Sequence, residues 1–156
     1  MHLFFILYVR PILEYGSTVW NPIAQCDINA LENVQRYFTN RIPGCVFLPY
    51  KQRLSILSLD SLQKRCSVAD LVCFYSIMSG SLNSFLSPHI NLLPPSITRG
   101  HNLRINSPTL HFAISERNFL SRICTAWNKL PASILSSNSR TVFRKRVTLH
   151  CADPYR

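Results

Sequence analysis

Acidic residues are scarce in this sequence, and they are scattered. The 156 residues hold seven Asp and Glu against 17 Lys and Arg. Asp27, Asp60, Asp70 and Asp153 are never adjacent, and Glu14, Glu32 and Glu116 fall on predicted helices. Two-metal polymerase chemistry needs carboxylates that converge on one site, and this pattern argues against it. Glycine is scarcer still, with four residues, too few for a phosphate-cradling loop. No G-x-S-x-G nucleophile elbow occurs. Long apolar runs are also missing. Leu3–Val9 is far short of the roughly 20 residues that cross a bilayer. It lacks the basic start and small-residue end of a secretory signal, so it reads as the buried part of a helix.

The six cysteines, Cys26, Cys45, Cys66, Cys73, Cys124 and Cys151, form no C-x-x-C pair, and no His stands at zinc-finger spacing from two of them. Cys66 and Cys73 lie on one predicted helix, about 10 Å apart along its axis, too far for a disulfide. Free, mostly buried thiols are expected, in a reducing compartment (nucleus or cytoplasm, not secreted). No metal and no cofactor are expected. His2, His89, His101, His111 and His150 read as surface or packing residues. The chain is expected not to be an enzyme.

What is present is apolar and basic. Hydrophobic residues make up 47% and charged residues 15%. The first figure excludes a wholly disordered chain. The second lies below the roughly 25% of an ordinary soluble domain, as in a piece that packs against a larger protein. A net charge of +10, mostly arginine, points to nucleic acid as the partner before anionic membrane.

The length suits one domain, 1–156. Its fold class is expected to be mainly α: a small helical domain with a Pro-rich loop region, for which a short β hairpin is one reading. The helical part covers 2–80, the loop or extended part 81–113, and the closing helices 115–150. Residues 2–20 read as a helix kinked at Pro11. Residues 27–42 carry Ile28, Leu31, Val34, Gln35, Phe38 and Ile42 at helical steps. Asp27 is its expected N-cap, and Glu32 with Arg36 an expected exposed ion pair. Residues 50–57 give a short helix. Residues 61–79 give a longer one, capped by Ser61 and apolar nearly all round. Pro88, Pro94, Pro95 and Pro108 break the pattern, and Thr98–His101 reads as a turn. Residues 115–129 return to helix with Ser115 as cap, and 139–150 form a basic helix capped by Ser139. Trp20, Phe38, Phe119 and Trp127 are the expected structural core, with Tyr15 and Tyr75 at or near it.

Several blocks carry a resemblance. Tyr8–Pro22 reads YVRPILEYGSTVWNP. Asp27–Gly44 ends in RIPG, and Tyr50–Leu62 reads YKQRLSILSLDSL. TRGH follows at Thr98–His101, and Phe119–Pro131 closes with WNKLP. In this order and spacing the blocks resemble the region that follows the palm in non-LTR (LINE-type, jockey-like) retrotransposon reverse transcriptases. The match runs over about residues 8–150. Its closing helix begins with SERNF, less basic than the family's usual start.

The resemblance implies thumb-like helices of an RNA-directed DNA polymerase, here without the catalytic palm. It implies non-specific contact with the phosphates of an RNA or RNA–DNA primer–template duplex. The candidate residues for that contact are Arg36, Arg41, Arg99, Arg104, Arg117, Arg122, Arg144, Lys145 and Arg146. Two other readings stand beside it. The chain is a docking piece that packs on the polymerase palm, or a relic of a decayed element without function.

Overall fold

The computed structural model describes residues 2–82, 90–94, 102–106 and 119–155. The expected turn at Thr98–His101 and the Ser115 cap lie outside them. The described chain is mainly helical. The helices are α1 (His2–Phe4), α2 (Arg10–Glu14), α3 (Ser17–Trp20), α4 (Gln25–Thr39), α5 (Tyr50–Ile56), α6 (Leu62–Met78), α7 (Phe119–Asn128), α8 (Ala132–Leu135) and α9 (Arg140–His150), with a π-helical turn at Phe5–Val9. Among the described residues the only extended pairing is an antiparallel bridge between Leu92 and Ile105. No described helix is long and apolar enough to cross a membrane. Two compact units form: Met1–Ser67 with Cys151–Arg156, and Val68–His150. The division falls inside α6, where the sequence shows no linker.

In the first unit, the expected helix over 2–20 is broken. Pro11 is tolerated in the first turn of α2, where its missing N–H has no partner to lose. The break comes at Gly16, whose φ of +64° is left-handed and suits glycine. Beyond it the helical phase is lost. Trp20 folds back, donates its indole N–H to the Tyr15 carbonyl at 2.6 Å, and stays 41% exposed. Tyr15 is 84% exposed. Neither belongs to the core, contrary to expectation. The Leu3–Val9 run is also mostly bare. Phe5 alone is buried there, against Phe38, while Leu3, Phe4, Leu7 and Tyr8 are each more than half exposed. One neighbouring helix can cover only one face of such a run.

α4 begins two residues before Asp27, which sits in the first turn rather than at the cap. A carboxylate there still favours the helix dipole. The buried residues of α4 are polar: Glu32, Gln35 and Thr39. Glu32 accepts hydrogen bonds from the Tyr50 hydroxyl and, at 3.3 Å, from the Gln63 N–H. Gln35 donates to the Tyr50 hydroxyl at 3.0 Å and to the Asp60 carbonyl at 3.1 Å. The expected Glu32–Arg36 surface pair is therefore not formed. Glu32 is wholly buried against the start of α6, and the Arg36 guanidinium lies about 5 Å from the Tyr50 and Tyr155 rings.

The first turn of an α-helix leaves its N–H groups without partners inside the helix. Around the start of α6 the rest of the unit supplies them. Glu32 takes the Gln63 N–H, and Ser61 Oγ takes the Lys64 N–H at 3.2 Å, as a capping serine does. Just before the helix, Asp153 in the chain's tail takes the Ser61 N–H at 2.9 Å.

In the second unit, Leu71, Val72, Phe74 and Ile77 of α6 are buried. The Phe74 and Trp127 rings meet edge to face, with centroids 4.7 Å apart, and Tyr75 stacks on Phe143 at 4.2 Å. Trp127 is buried and donates its indole N–H to the Leu103 carbonyl at 2.7 Å. Phe119 is half-buried, 6.4 Å from Phe74. Asn128 pairs with Ile105 as a strand would. Its amide accepts the Ile105 N–H and donates to the Ile105 carbonyl, both at 2.9 Å. Together these side chains hold the 102–106 segment on α7. Ser139 caps α9 at the Val142 N–H, 3.3 Å away, and Phe143 and Val147 turn inward.

Two expectations follow. Trp127→Ala removes a fully buried ring and is expected to cost about 3–5 kcal/mol, read as a lower urea midpoint, with Trp20→Ala costing far less. Equal losses would contradict the burial pattern. Burial pushes the Glu32 carboxyl above its usual pKa, its hydrogen bonds to Tyr50 and the α6 backbone opposing. A raised folded-state value means that the carboxyl's contribution is fully present at low pH and is lost as pH rises through that value. Wild-type stability should thus fall relative to Glu32→Gln as pH climbs from about 4, the ordinary Glu range, to 8. Urea midpoints that keep a constant gap over that range would refute it.

Candidate nucleic-acid interface

Charge is divided unevenly between the units. Val68–His150 holds nine of the 17 basic residues and two of the seven acidic ones, so it carries +7 of the net +10. Its two acids are Asp70 and Glu116. Asp70 is buried and pairs with Arg122 at 3.4 Å. Arg122 is thereby a structural cation that ties α7 to α6, not the exposed phosphate contact expected of it. Arg99 and Arg117 lie outside the described residues. Arg104 is half-buried, and its carbonyl accepts the Leu93 N–H at 2.8 Å beside the isolated bridge.

α9 is where exposed cations gather in this unit. Phe143 and Val147 point inward, and Arg140, Arg144, Lys145 and Arg146 are all exposed. At about 100° per residue, Arg144, Lys145 and Arg146 fan over roughly 200° of the helix surface. Arg146 is anchored: its Nη1 donates to the Ser133 carbonyl at 2.7 Å and to Ser137 Oγ at 3.3 Å. It borders an open groove lined also by Ser133, Ile134, Leu149 and His150. Sequence reasoning missed Arg140, which stands one turn before Arg144. The i, i+4 spacing was the available signal.

The first unit uses its cations differently. Arg65 makes a two-pronged contact with Glu14, which holds it still more firmly in its charged form. Lys64 pairs with Asp60 at 2.8 Å. Arg53, which sequence reasoning did not single out, is buried and donates to the Arg36 carbonyl at 2.9 Å. Arg36 is half-buried between two tyrosine rings. Of the candidates in this unit, Arg41 is exposed. The nine candidate cations are spread over both units, and two lie outside the described residues.

Among the described residues, no three His, Cys, Asp or Glu side chains come together to hold a metal. All six cysteines are free thiols. Burial pushes the Cys73, Cys124 and Cys151 thiols above their ordinary pKa, which lowers their thiolate fraction and reactivity. What the arrangement offers is fixed positive charge on one helix, suited to backbone phosphates and blind to base identity. Compared with known proteins, the chain matches no family model, no curated protein and no solved structure.

Proposed function

We propose that this chain binds nucleic acid without sequence preference, through phosphate contacts made by α9, and performs no chemistry of its own. The resemblance of the motif order to the post-palm region of LINE-type reverse transcriptases supports this reading and suggests an RNA–DNA primer–template duplex as the ligand. The observation that carries it is the fan of Arg144, Lys145 and Arg146 on a unit with a net charge of +7. Cations on such a helix replace the counterions condensed on a nucleic-acid backbone, so affinity falls linearly with salt on a log–log plot.

The test is a salt series on an RNA–DNA hybrid. Arg144→Ala with Lys145→Ala should weaken binding and reduce the slope by about 2, near 0.9 per lost contact. Both side chains are exposed, so the fold should persist. An unchanged slope would remove α9 from the interface.

A second reading has its own support. Leu3, Phe4, Leu7, Tyr8, Ile12, Tyr15, Val19, Trp20 and Ile23 leave an exposed apolar surface in the first unit. Surfaces of this kind mark interaction sites, and the resemblance supplies a partner, the polymerase palm. Changing Leu7, Ile12 and Val19 to Glu should leave unfolding within about 0.5 kcal/mol per site, as for ordinary surface positions. It should abolish association with a separately supplied palm domain. Substantial unfolding would mean that these residues are packed in solution, and retained association would place the palm contact elsewhere.

A further inference from the structure

We infer that Tyr37 and Arg41 of the first unit form a stacking platform for unpaired nucleotides, with the exposed Phe47 ring as a second stacking surface. The inference rests on the reading that the chain binds nucleic acid. It adds the class of strand, and it uses none of the residues of α9.

α4 has two unlike faces. Glu32, Gln35 and Thr39 turn into the unit, and Val34 and Tyr37 turn away from it, with Arg41 just past the helix end. Tyr37 is 61% exposed, and the Arg41 guanidinium sits over its ring, 3.3 Å from the centroid. That is stacking distance, and it joins a flat aromatic face to a flat cation. After α4 the chain turns through Gly44, whose φ is +84°. Ile42 and Cys45 are buried, and the Cys45 and Leu48 N–H groups donate to the Ile42 and Cys45 carbonyls at 2.9 and 3.1 Å. This tied turn leaves Phe47 97% exposed.

The chemistry of the site selects its occupant. Among the described residues, the ion pairs of this unit join Arg10 and Arg65 to Glu14, and Lys64 to Asp60. None of them uses Arg41, whose N–H donors remain for an anion. An open Tyr37 ring beside such a cation suits a ligand that is planar and anionic together. An unpaired nucleotide is both: its base stacks on a ring or guanidinium plane, and its phosphate meets the cation. A duplex hides its base faces, so it cannot use the platform. An apolar peptide would gain from the rings and nothing from the arginine.

The test uses the whole chain with two probes: an unpaired oligouridine and an RNA–DNA hybrid of equal length. Stacking contributes to affinity without releasing counterions. Tyr37→Ala and Phe47→Ala should therefore each weaken oligouridine binding about 5- to 150-fold, the span of one lost base stack. They should leave its salt slope and the hybrid affinity unchanged. Tyr37→Phe, which keeps the ring, should bind as wild type. Circular dichroism of each variant checks the fold. Wild-type oligouridine affinity in both alanine variants would overturn the platform and leave this face to a protein partner. Equal loss on both probes would overturn it too, because a duplex offers nothing to stack. Neither outcome touches the α9 reading, which stands or falls on the salt slope of Arg144→Ala with Lys145→Ala.

Discussion

The first unit depends on how the start of α6 is satisfied. A buried helix N-terminus has N–H groups that point at whatever packs on it, and each unpaired one costs about 1–3 kcal/mol. Here the partners arrive from three places: Glu32 in α4, Ser61 at the helix start, and Asp153 near the end of the sequence. Their positions constrain α4, the loop before α6 and the tail together. Tyr50 is drawn in as well, because its hydroxyl must donate to Glu32 and accept from Gln35. Burial and the carboxylate push that hydroxyl's pKa up, so it stays a donor. Buried polar groups are costly when unpaired, and the contacts among Glu32, Gln35 and Tyr50 offset part of that cost.

The second unit is organised by aromatic packing instead. Phe74, Tyr75, Trp127 and Phe143 meet in edge-to-face, stacked and tilted pairs. Trp127 and Asn128 reach from α7 to the backbone of 103–105. With Asp70 spent on Arg122, four of the unit's nine basic residues lie exposed on α9. Burial and charge thus have one cause. A helix that turns Phe143 and Val147 inward must present the residues between them to solvent, and those residues are Arg144, Lys145 and Arg146.

Local signals were legible in the sequence, and long-range ones were not. Ser61 and Ser139 cap their helices as their spacing suggests, because a cap involves only the next turn. The burial of Trp127 follows from the apolar face it shares with Leu120 and Ile123. Trp20 misled, because one left-handed glycine cancels the phase of all that follows it. Glu32 and Arg36 have the spacing of a surface pair, but α5 and α6 cover Glu32, and periodicity carries no trace of that. Arg122 looks like any helix-flank arginine until Asp70, 52 positions away, comes into contact. Exposure on α9 was readable from its two inward residues. The Tyr37–Arg41 stack was readable as a spacing of four, but Phe47 depends on the tied turn.

The first unit is not contiguous along the chain, since it takes its last six residues, Cys151–Arg156, from beyond the second. Proteins emerge from the ribosome N-terminus first, and domains generally fold in that order. Here the Ser61 N–H has no Asp153 to meet until the entire second unit has been synthesised. Residues 68–150 are thus all made before residues 1–67 have this last partner. Any truncation that removes residues 151–156 strikes the unit built from residues 1–67.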